Sequence, residues 1–161
     1  MIVVSNAGPL IALARIGHLS LLHRLYGELL IPSAVQAEVT RARPDSPGAR
    51  EVDLADWITV VGVSDQLALS LLRERLDLGE SEAIILALEQ AAKLLLIDEA
   101  KGRRLAQTRG LANIGTVGIL ILAKRRGLVD LVTPLLEQLI TSGFRMDEAL
   151  FQKARSLAAE T

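Results

Sequence analysis

The stretch "LLLIDEAKGRR" (residues 94–104) decides the fold that the sequence predicts. Its first four residues are all apolar, which is typical of a strand buried on both faces in the middle of a parallel sheet. Asp98 follows this strand directly, and a helix rich in basic residues is predicted to begin after it. The carboxyl ends of parallel strands are where α/β domains bind their ligands, so Asp98 is the first candidate site residue.

The remainder of the chain alternates short apolar or β-branched runs with longer helical patterns. Strands are predicted at residues 2–5, 28–31, 57–63, 94–97 and 112–114. Helices are predicted at about 9–16, 19–25, 32–42, 65–76, 79–93, 99–109, 116–126, 130–142 and 147–159. This alternation predicts one α/β domain over residues 1–161, with a central parallel sheet flanked by helices. The helices from about residue 129 are expected either to pack on the domain or to form a partner interface.

Local signals mark some of these boundaries. Ser33 and Gln36 have the spacing of a capping box, and so have Asp77 and Glu80. Pro9 is typical of the first turn of a helix. The segment 41–48 is rich in proline and is predicted to be an exposed loop.

Composition excludes several classes of site. The chain has no cysteine and only two histidines, His18 and His23, whose spacing does not place both on one metal ion. Two Phe, one Tyr and one Trp are too few for RNA recognition that depends on stacking bases. The formal net charge is −1, so binding to nucleic acid requires a local basic patch. Apolar segments are too short for a signal peptide or a membrane span, and a cytoplasmic protein is expected.

Several polar residues lie at the predicted ends of strands and starts of helices. Asn6 follows the first strand, Asp98 follows residues 94–97, Glu38 lies one turn into a helix, and Glu80 and Glu82 open the buried helix. Each can be explained as a helix cap, a turn residue or an acid that favours a helix N-terminus. Glu82 is the harder to explain structurally, because it begins a helical row that becomes apolar and a carboxylate there requires a partner.

Glu38, Glu82 and Asp98 would repel one another if the fold brought them together, by roughly 4 kcal/mol per pair at about 4 Å and an effective dielectric of 20. Oxygen ligands without His or Cys favour Mg²⁺ or Mn²⁺, and such sites commonly hydrolyse phosphodiesters. The helix after Asp98 carries Lys101, Arg103 and Arg104, which could bind a phosphate substrate. Arg41 and Arg43 extend the helix that carries Glu38. A basic helix face is also commonly just solvated surface.

Five motifs together resemble a PIN domain, in the prokaryotic branch related to VapC toxins. They are "VVSNAGPLIALARIG", "ELLIPSAVQAEV", "LDLGESEAIILALE", "LLLIDEAKGRRLA" and "IGTVGILILAKRRGLV". The resemblance implies a three-layer sandwich with an acidic pocket at the carboxyl ends of the parallel strands. It also implies a Mg²⁺- or Mn²⁺-dependent ribonuclease that is restrained by a small antitoxin, and homodimers are frequent among PIN relatives.

The resemblance places the four acidic positions of the family on Asn6, Glu38, Glu82 and Asp98. Glu80 is the second candidate for the third position and Glu99 for the fourth. Thr116 falls where the family has a Ser or Thr lining the substrate pocket.

Asn6 departs from the family pattern, because active PIN nucleases have an aspartate there. An amide oxygen can bind Mg²⁺ but cannot bridge two metals or act as a base. Two hypotheses follow: a metal-dependent ribonuclease of a toxin–antitoxin pair, or a catalytically silent module that binds RNA or protein. A response-regulator receiver is disfavoured, since its first strand would end in acids.

Overall fold

The sheet is built from five strands that all run parallel, as the apolar runs predict. In the computed structural model, which describes residues 1–41, 45 and 48–161, their order across the sheet is β3-β2-β1-β4-β5. The strands are β1 (Val3–Ser5), β2 (Leu29–Pro32), β3 (Ile58–Val61), β4 (Leu94–Leu96) and β5 (Asn113–Ile114). The α/β class with a central parallel sheet is therefore confirmed.

Helices cover the sheet on both sides. The described residues form α1 (Ala7–Arg15), α2 (Ser20–Tyr26), α3 (Ser33–Gln36), α4 (Ala49–Leu54), α5 (Gln66–Leu72), α6 (Leu78–Glu89), α7 (Ala100–Thr108), α8 (Thr116–Arg125), α9 (Thr133–Thr141) and α10 (Glu148–Leu157). A π-helical turn, Ala37–Arg41, continues α3. None of these helices is long and apolar enough to cross a membrane.

Alternation along the strands divides the core into two layers. Val3 and Leu96 belong to the layer that contains α1, α2, α8 and α9, whereas Val4 and Leu95 belong to the layer that contains α6. Because successive side chains of a strand point to opposite faces, each apolar strand supplies both layers. This arrangement gives the three-layer sandwich. The helices after residue 129 pack on the first layer through Val132, Leu136 and other apolar residues.

Two local predictions are resolved by hydrogen bonds. The capping box at Asp77 is present in part, because Asp77 Oδ1 accepts a hydrogen bond of 2.8 Å from the Glu80 N–H. The capping box predicted for Ser33 is wrong: Pro32 occupies the N-cap position and Ser33 makes no capping bond.

Helix α1 begins at Ala7, two residues before Pro9, which the first turn tolerates. Most of the proline-rich loop predicted at 41–48 lies outside the described residues.

Glu160 fastens the C-terminal helices to α8. Its carboxylate accepts hydrogen bonds from Lys124 Nζ at 2.8 Å, Val132 N at 2.7 Å and Thr133 N at 2.8 Å. The side chain is only 7% exposed. Burial alone would raise the pKa of Glu160, but these hydrogen bonds outweigh it and lower the pKa to about 2. The carboxylate thereby serves as the missing cap of α9.

We expect Glu160→Gln to lower the free energy of unfolding at pH 7 by roughly 1–3 kcal/mol, because two backbone donors and Lys124 lose a charged acceptor. A depressed folded-state pKa stabilises the protein above the usual value of 4.5, and this stabilisation is lost as the pH falls from 4.5 through about 2. The difference between wild type and variant in urea melts should therefore shrink over that range. Glu137→Gln, at an exposed position on α9, is the control, and an equal effect of both changes would contradict the capping role.

Candidate functional site

The site lies where β1 and β4 pair in the middle of the sheet. The chain passes from β1 to β2 on one side and later returns to place β4 on the other side of β1. Such a topological switch point opens a crevice at the carboxyl ends of the strands, where α/β domains bind ligands. Ser5 is in register with Leu96, and the Asn6 N–H donates to the Leu96 carbonyl at 2.9 Å. Asn6 and Asp98 therefore emerge side by side at this crevice.

Asp98 is held in one orientation by Thr116. The Thr116 N–H donates to Oδ1 and the Thr116 hydroxyl donates to Oδ2, both at 2.7 Å. Burial raises the pKa of Asp98, while the two bonds from Thr116 and the nearby Arg103 guanidinium act in the opposite direction. Thr116 itself is fully buried. It therefore orients Asp98, and the substrate contact expected for Thr116 from the resemblance is not what this geometry supports.

Asn6 occupies the N-cap position of α1 but does not act as a cap. Its side chain makes no capping bond, the residue is 6% exposed, and Oδ1 is buried without a hydrogen-bond partner among the described residues. A buried amide oxygen without a partner costs free energy, which a bound cation could recover. The geometry thus makes Asn6 a candidate site residue, although one without charge.

Glu38 and Asn6 meet over Gly79. A methyl group added to Gly79 would lie 2.9 Å from Glu38 Oε1 and 3.6 Å from Asn6 Oδ1, so the absence of a side chain at Gly79 makes room for both. Glu38 belongs to the π-helical turn, and such turns are frequent at functional sites. Burial raises the pKa of Glu38, and the carboxylates of Asp77 and Glu99 raise it further.

Glu80 is the acid of α6 that joins this cluster. Burial and the adjacent Asp77 carboxylate, with Glu99 and Glu38 adding like charge, raise the pKa of Glu80 to about 8. Burial is the larger cause of this raised pKa, and the nearby like charges add to it because they disfavour ionisation. The acidic cluster therefore comprises Glu38, Asp77, Glu80 and Glu99, with Asp98 and Asn6 at the adjacent crevice.

Glu82 has a structural role instead. Its Oε1 accepts a hydrogen bond of 3.0 Å from the Ala34 N–H, a free donor at the start of α3. Residues two apart on a helix do not face the same side, so Glu80 and Glu82 cannot both reach one pocket. Of the two predicted candidates for the third acidic position, the structure places Glu80 near the other acids and Glu82 against the start of α3. The partner that Glu82 was expected to have is thus a helix N-terminus.

Of the basic residues predicted near Asp98, only Arg103 lines the crevice. Its Nε donates to Asn113 Oδ1 at 3.1 Å, and its Nη1 would lie 3.3 Å from a methyl group added to Gly115, beside Asp98. Lys101 and Arg104 are exposed and do not line the cleft described next. The side chains of Arg41 and Arg43 lie outside the described part of the chain.

A cleft of about 910 Å³ leads away from Asp98 between α1, α8 and α10. Glu38, Glu99 and Arg103 line it near the sheet, and residues 142–157 form its outer wall. The sequence analysis missed this wall. Its residues are close to Asp98 only in space, and no local pattern in the C-terminal helices indicates that they lie there.

The residues at the crevice fit a hard divalent cation in chemistry. All their donors are oxygens, as Mg²⁺ and Mn²⁺ prefer, and the buried Asn6 Oδ1 has no other partner. Over residues 1–41, 45 and 48–161, no three Asp, Glu or His side chains are arranged as a ready-made metal site. The fit therefore rests on the donor set and on the orphaned amide oxygen.

A family model that describes a PIN domain matches residues 2–160. The chain belongs to the PIN-domain family. The match covers the C-terminal helices as well as the sheet, so the whole described cleft lies within the domain. No curated protein is similar enough to the chain to be matched. PIN domains generally depend on a divalent metal ion, which agrees with the oxygen donors at the crevice.

Glu80 should make the stability of this PIN domain depend on pH in the absence of metal. Its folded-state pKa of about 8 lies above the usual 4.5, so the contribution of Glu80 to stability is fully present below pH 4.5 and is lost as the pH rises through about 8. We expect Glu80→Gln to remove this loss and to raise the melting temperature at pH 8 in EDTA. Thermal melts from pH 5 to pH 9 measure it.

Glu82→Gln is the matched control, because it removes the same charge two residues away and leaves Glu80 in place. The loss of stability at high pH should persist in that variant. If Glu80→Gln instead melts below wild type throughout, the carboxyl group of Glu80 is not strained by its neighbours.

Proposed function

We propose that this PIN domain is a Mg²⁺- or Mn²⁺-dependent endoribonuclease. The observation that carries the proposal is the unpartnered Asn6 oxygen, which lies beside Glu38 over Gly79, with Asp98 on the neighbouring strand end and Arg103 next to Asp98. An acidic pocket next to one fixed cation is suited to a metal ion together with a phosphate group. A toxin restrained by a small antitoxin is the finer role that the resemblance implies, and nuclease activity is its precondition.

In the proposed reaction, different residues bind the metal, position its ligand and bind the phosphate. Asn6, Glu38 and Asp98 would hold the metal, with Glu80 as a further candidate carboxylate, and Thr116 keeps Asp98 in position. When bound, the metal lowers the pKa of a coordinated water and neutralises charge on the phosphate. Arg103, preset by Asn113, supplies donors in a planar fork for a phosphate oxygen. Hydrolysis then adds hydroxide to phosphorus and a proton to the departing oxygen of the cleaved strand.

Asp98→Asn and Glu38→Gln should each lower the rate of RNA cleavage by about 100-fold or more, since each removes a charged oxygen donor. Cleavage of a single-stranded RNA with Mg²⁺ or Mn²⁺, and its absence in EDTA, is the measurement. Glu80→Gln and Glu82→Gln form a matched pair that separates the two assignments of the third acid. Loss of cleavage in Glu82→Gln with full activity in Glu80→Gln would return the site to the sequence assignment.

Asn6→Asp tests whether the amide limits the enzyme. It restores the aspartate typical of active PIN nucleases and adds a charged ligand, so both metal affinity and cleavage rate should rise. The rise in melting temperature with millimolar Mn²⁺ reports metal binding independently of activity, because a ligand that binds only the folded state stabilises it. Asp98→Asn should abolish this rise.

A specific outcome would favour the silent binding module instead. That outcome is a wild type that neither cleaves RNA nor gains stability from metal, beside an Asn6→Asp variant that does both. Cleavage by the wild type would exclude it.

A further inference from the structure

Three side-chain oxygens surround the space that Gly79 leaves open at the start of α6. A methyl group added to Gly79 would lie 2.9 Å from Glu38 Oε1 and 3.6 Å from Asn6 Oδ1. The same methyl position is 3.7 Å from Asp77 Oδ1. The side chains of Asn6, Glu38 and Asp77 thus bring three oxygens close to one point, and together they form the Gly79 oxygen cluster.

Asp77 belongs to this cluster because it caps α6. It is the N-cap residue, and its Oδ1 accepts a hydrogen bond of 2.8 Å from the Glu80 N–H. A carboxylate offers about four acceptor positions on its two oxygens, and the capping bond uses one of them. Capping therefore holds the Asp77 carboxylate in place and still leaves it able to bind a ligand.

The Asn6 oxygen is a separate observation that points to a ligand. Asn6 is 6% exposed, and its Oδ1 is buried without a hydrogen-bond partner among the described residues. The ionised carboxylates of Glu38 and Asp77 carry no proton to donate to it, since all their oxygens are acceptors. A cation satisfies all three oxygens at once.

The charge of the cluster depends on Asp77. Asn6 is neutral, so without Asp77 only Glu38 would supply a negative charge. The affinity of an oxygen site for a divalent cation depends on how many of its ligands are charged. Burial raises the pKa of Glu38, and among the neighbouring carboxylates Asp77 adds the most to this increase, which agrees with its place beside Glu38.

We propose that Asp77 is a charged ligand of a divalent cation at the Gly79 oxygen cluster, where it supplies the negative charge that Asn6 lacks. The proposal rests on the metal dependence of the proposed function. To the metal ligands named there it adds an acid for which the sequence indicates only a helix cap.

The test is the affinity of Asp77→Asn for Mn²⁺, measured by isothermal titration calorimetry on the intact chain after dialysis against EDTA and then metal-free buffer. Asn caps helices about as well as Asp, so the substitution removes the charge and keeps the cap. We expect the dissociation constant for Mn²⁺ to rise by about 10-fold or more. The melting temperature without metal should stay close to that of wild type.

The matched control is Asp65→Asn, which changes the same residue type in the same capping role. Asp65 is the N-cap of α5, and its Oδ1 accepts a hydrogen bond of 2.9 Å from the Ala68 N–H. This variant should bind Mn²⁺ with the affinity of wild type.

Two further variants locate the cation. Asn6→Asp in the Asp77→Asn background returns one charge to the cluster and should restore an affinity near that of wild type. Gly79→Ala places a methyl group among the three oxygens and displaces Glu38 Oε1, so it should weaken Mn²⁺ binding. Alanine favours a helix more than glycine does, so this loss would not come from unfolding of α6.

Several outcomes would overturn the proposal. Wild-type affinity in Asp77→Asn would make Asp77 a cap alone, and equal weakening in Asp65→Asn would assign the effect to net charge. Wild-type affinity in Gly79→Ala would place the cation away from the cluster. Failure of Asn6→Asp to restore binding would show that the lost charge is not the cause.

RNA cleavage by the wild type separates this proposal from the one on which it rests. Cleavage with Mn²⁺, together with unchanged Mn²⁺ affinity in Asp77→Asn, contradicts the role of Asp77 alone. Weakened Mn²⁺ binding in that variant, without cleavage by wild type, supports the role of Asp77 and contradicts the nuclease. A wild type that neither binds Mn²⁺ nor cleaves RNA overturns both.

Discussion

The pairing of β1 with β4 in the middle of the parallel sheet determines the rest of the site. It sets Ser5 opposite Leu96, and one backbone bond beyond the strands ties Asn6 to β4. Two polar residues 92 positions apart in sequence, Asn6 and Asp98, are thereby adjacent at the switch point. The surrounding apolar layers fix both strands, so the adjacency needs no direct bond between the two side chains.

Repulsion between carboxylates is concentrated near this switch point. Glu80 and Glu38 both hold their protons more tightly than free glutamate does, because burial and neighbouring carboxylates disfavour ionisation and raise the pKa of each. A pocket that resists the charge of its own ligands gains most from a cation, which converts repulsion into attraction. The buried Asn6 oxygen has no hydrogen-bond partner among the described residues, so it would also gain from a bound cation. Binding of a cation at the proposed site would therefore also change the stability of the protein through these same groups.

Sequence patterns were sufficient for the fold and for naming most of the candidate site residues. Continuous apolar strands and intervening helical periods predict the parallel sheet, and the carboxyl ends of its strands predict Asn6, Glu38 and Asp98. The choice between Glu80 and Glu82 could not be made from sequence, because it depends on how α6 is rotated, and that is set by packing and by the bond from Ala34 to Glu82. The same holds for the outer wall of the cleft, residues 142–157, which adjoins the site only through tertiary folding.

Thr116 has a further consequence for the geometry of Asp98. A carboxylate offers about four acceptor positions on its two oxygens, and Thr116 occupies one on each oxygen. The remaining lone pairs are therefore confined to the directions that Thr116 leaves open. The orientation of the buried Thr116 hydroxyl and N–H therefore selects the angles at which a ligand can approach the Asp98 carboxylate. A threonine that touches nothing outside the protein thus helps to decide where in the crevice a cation can sit.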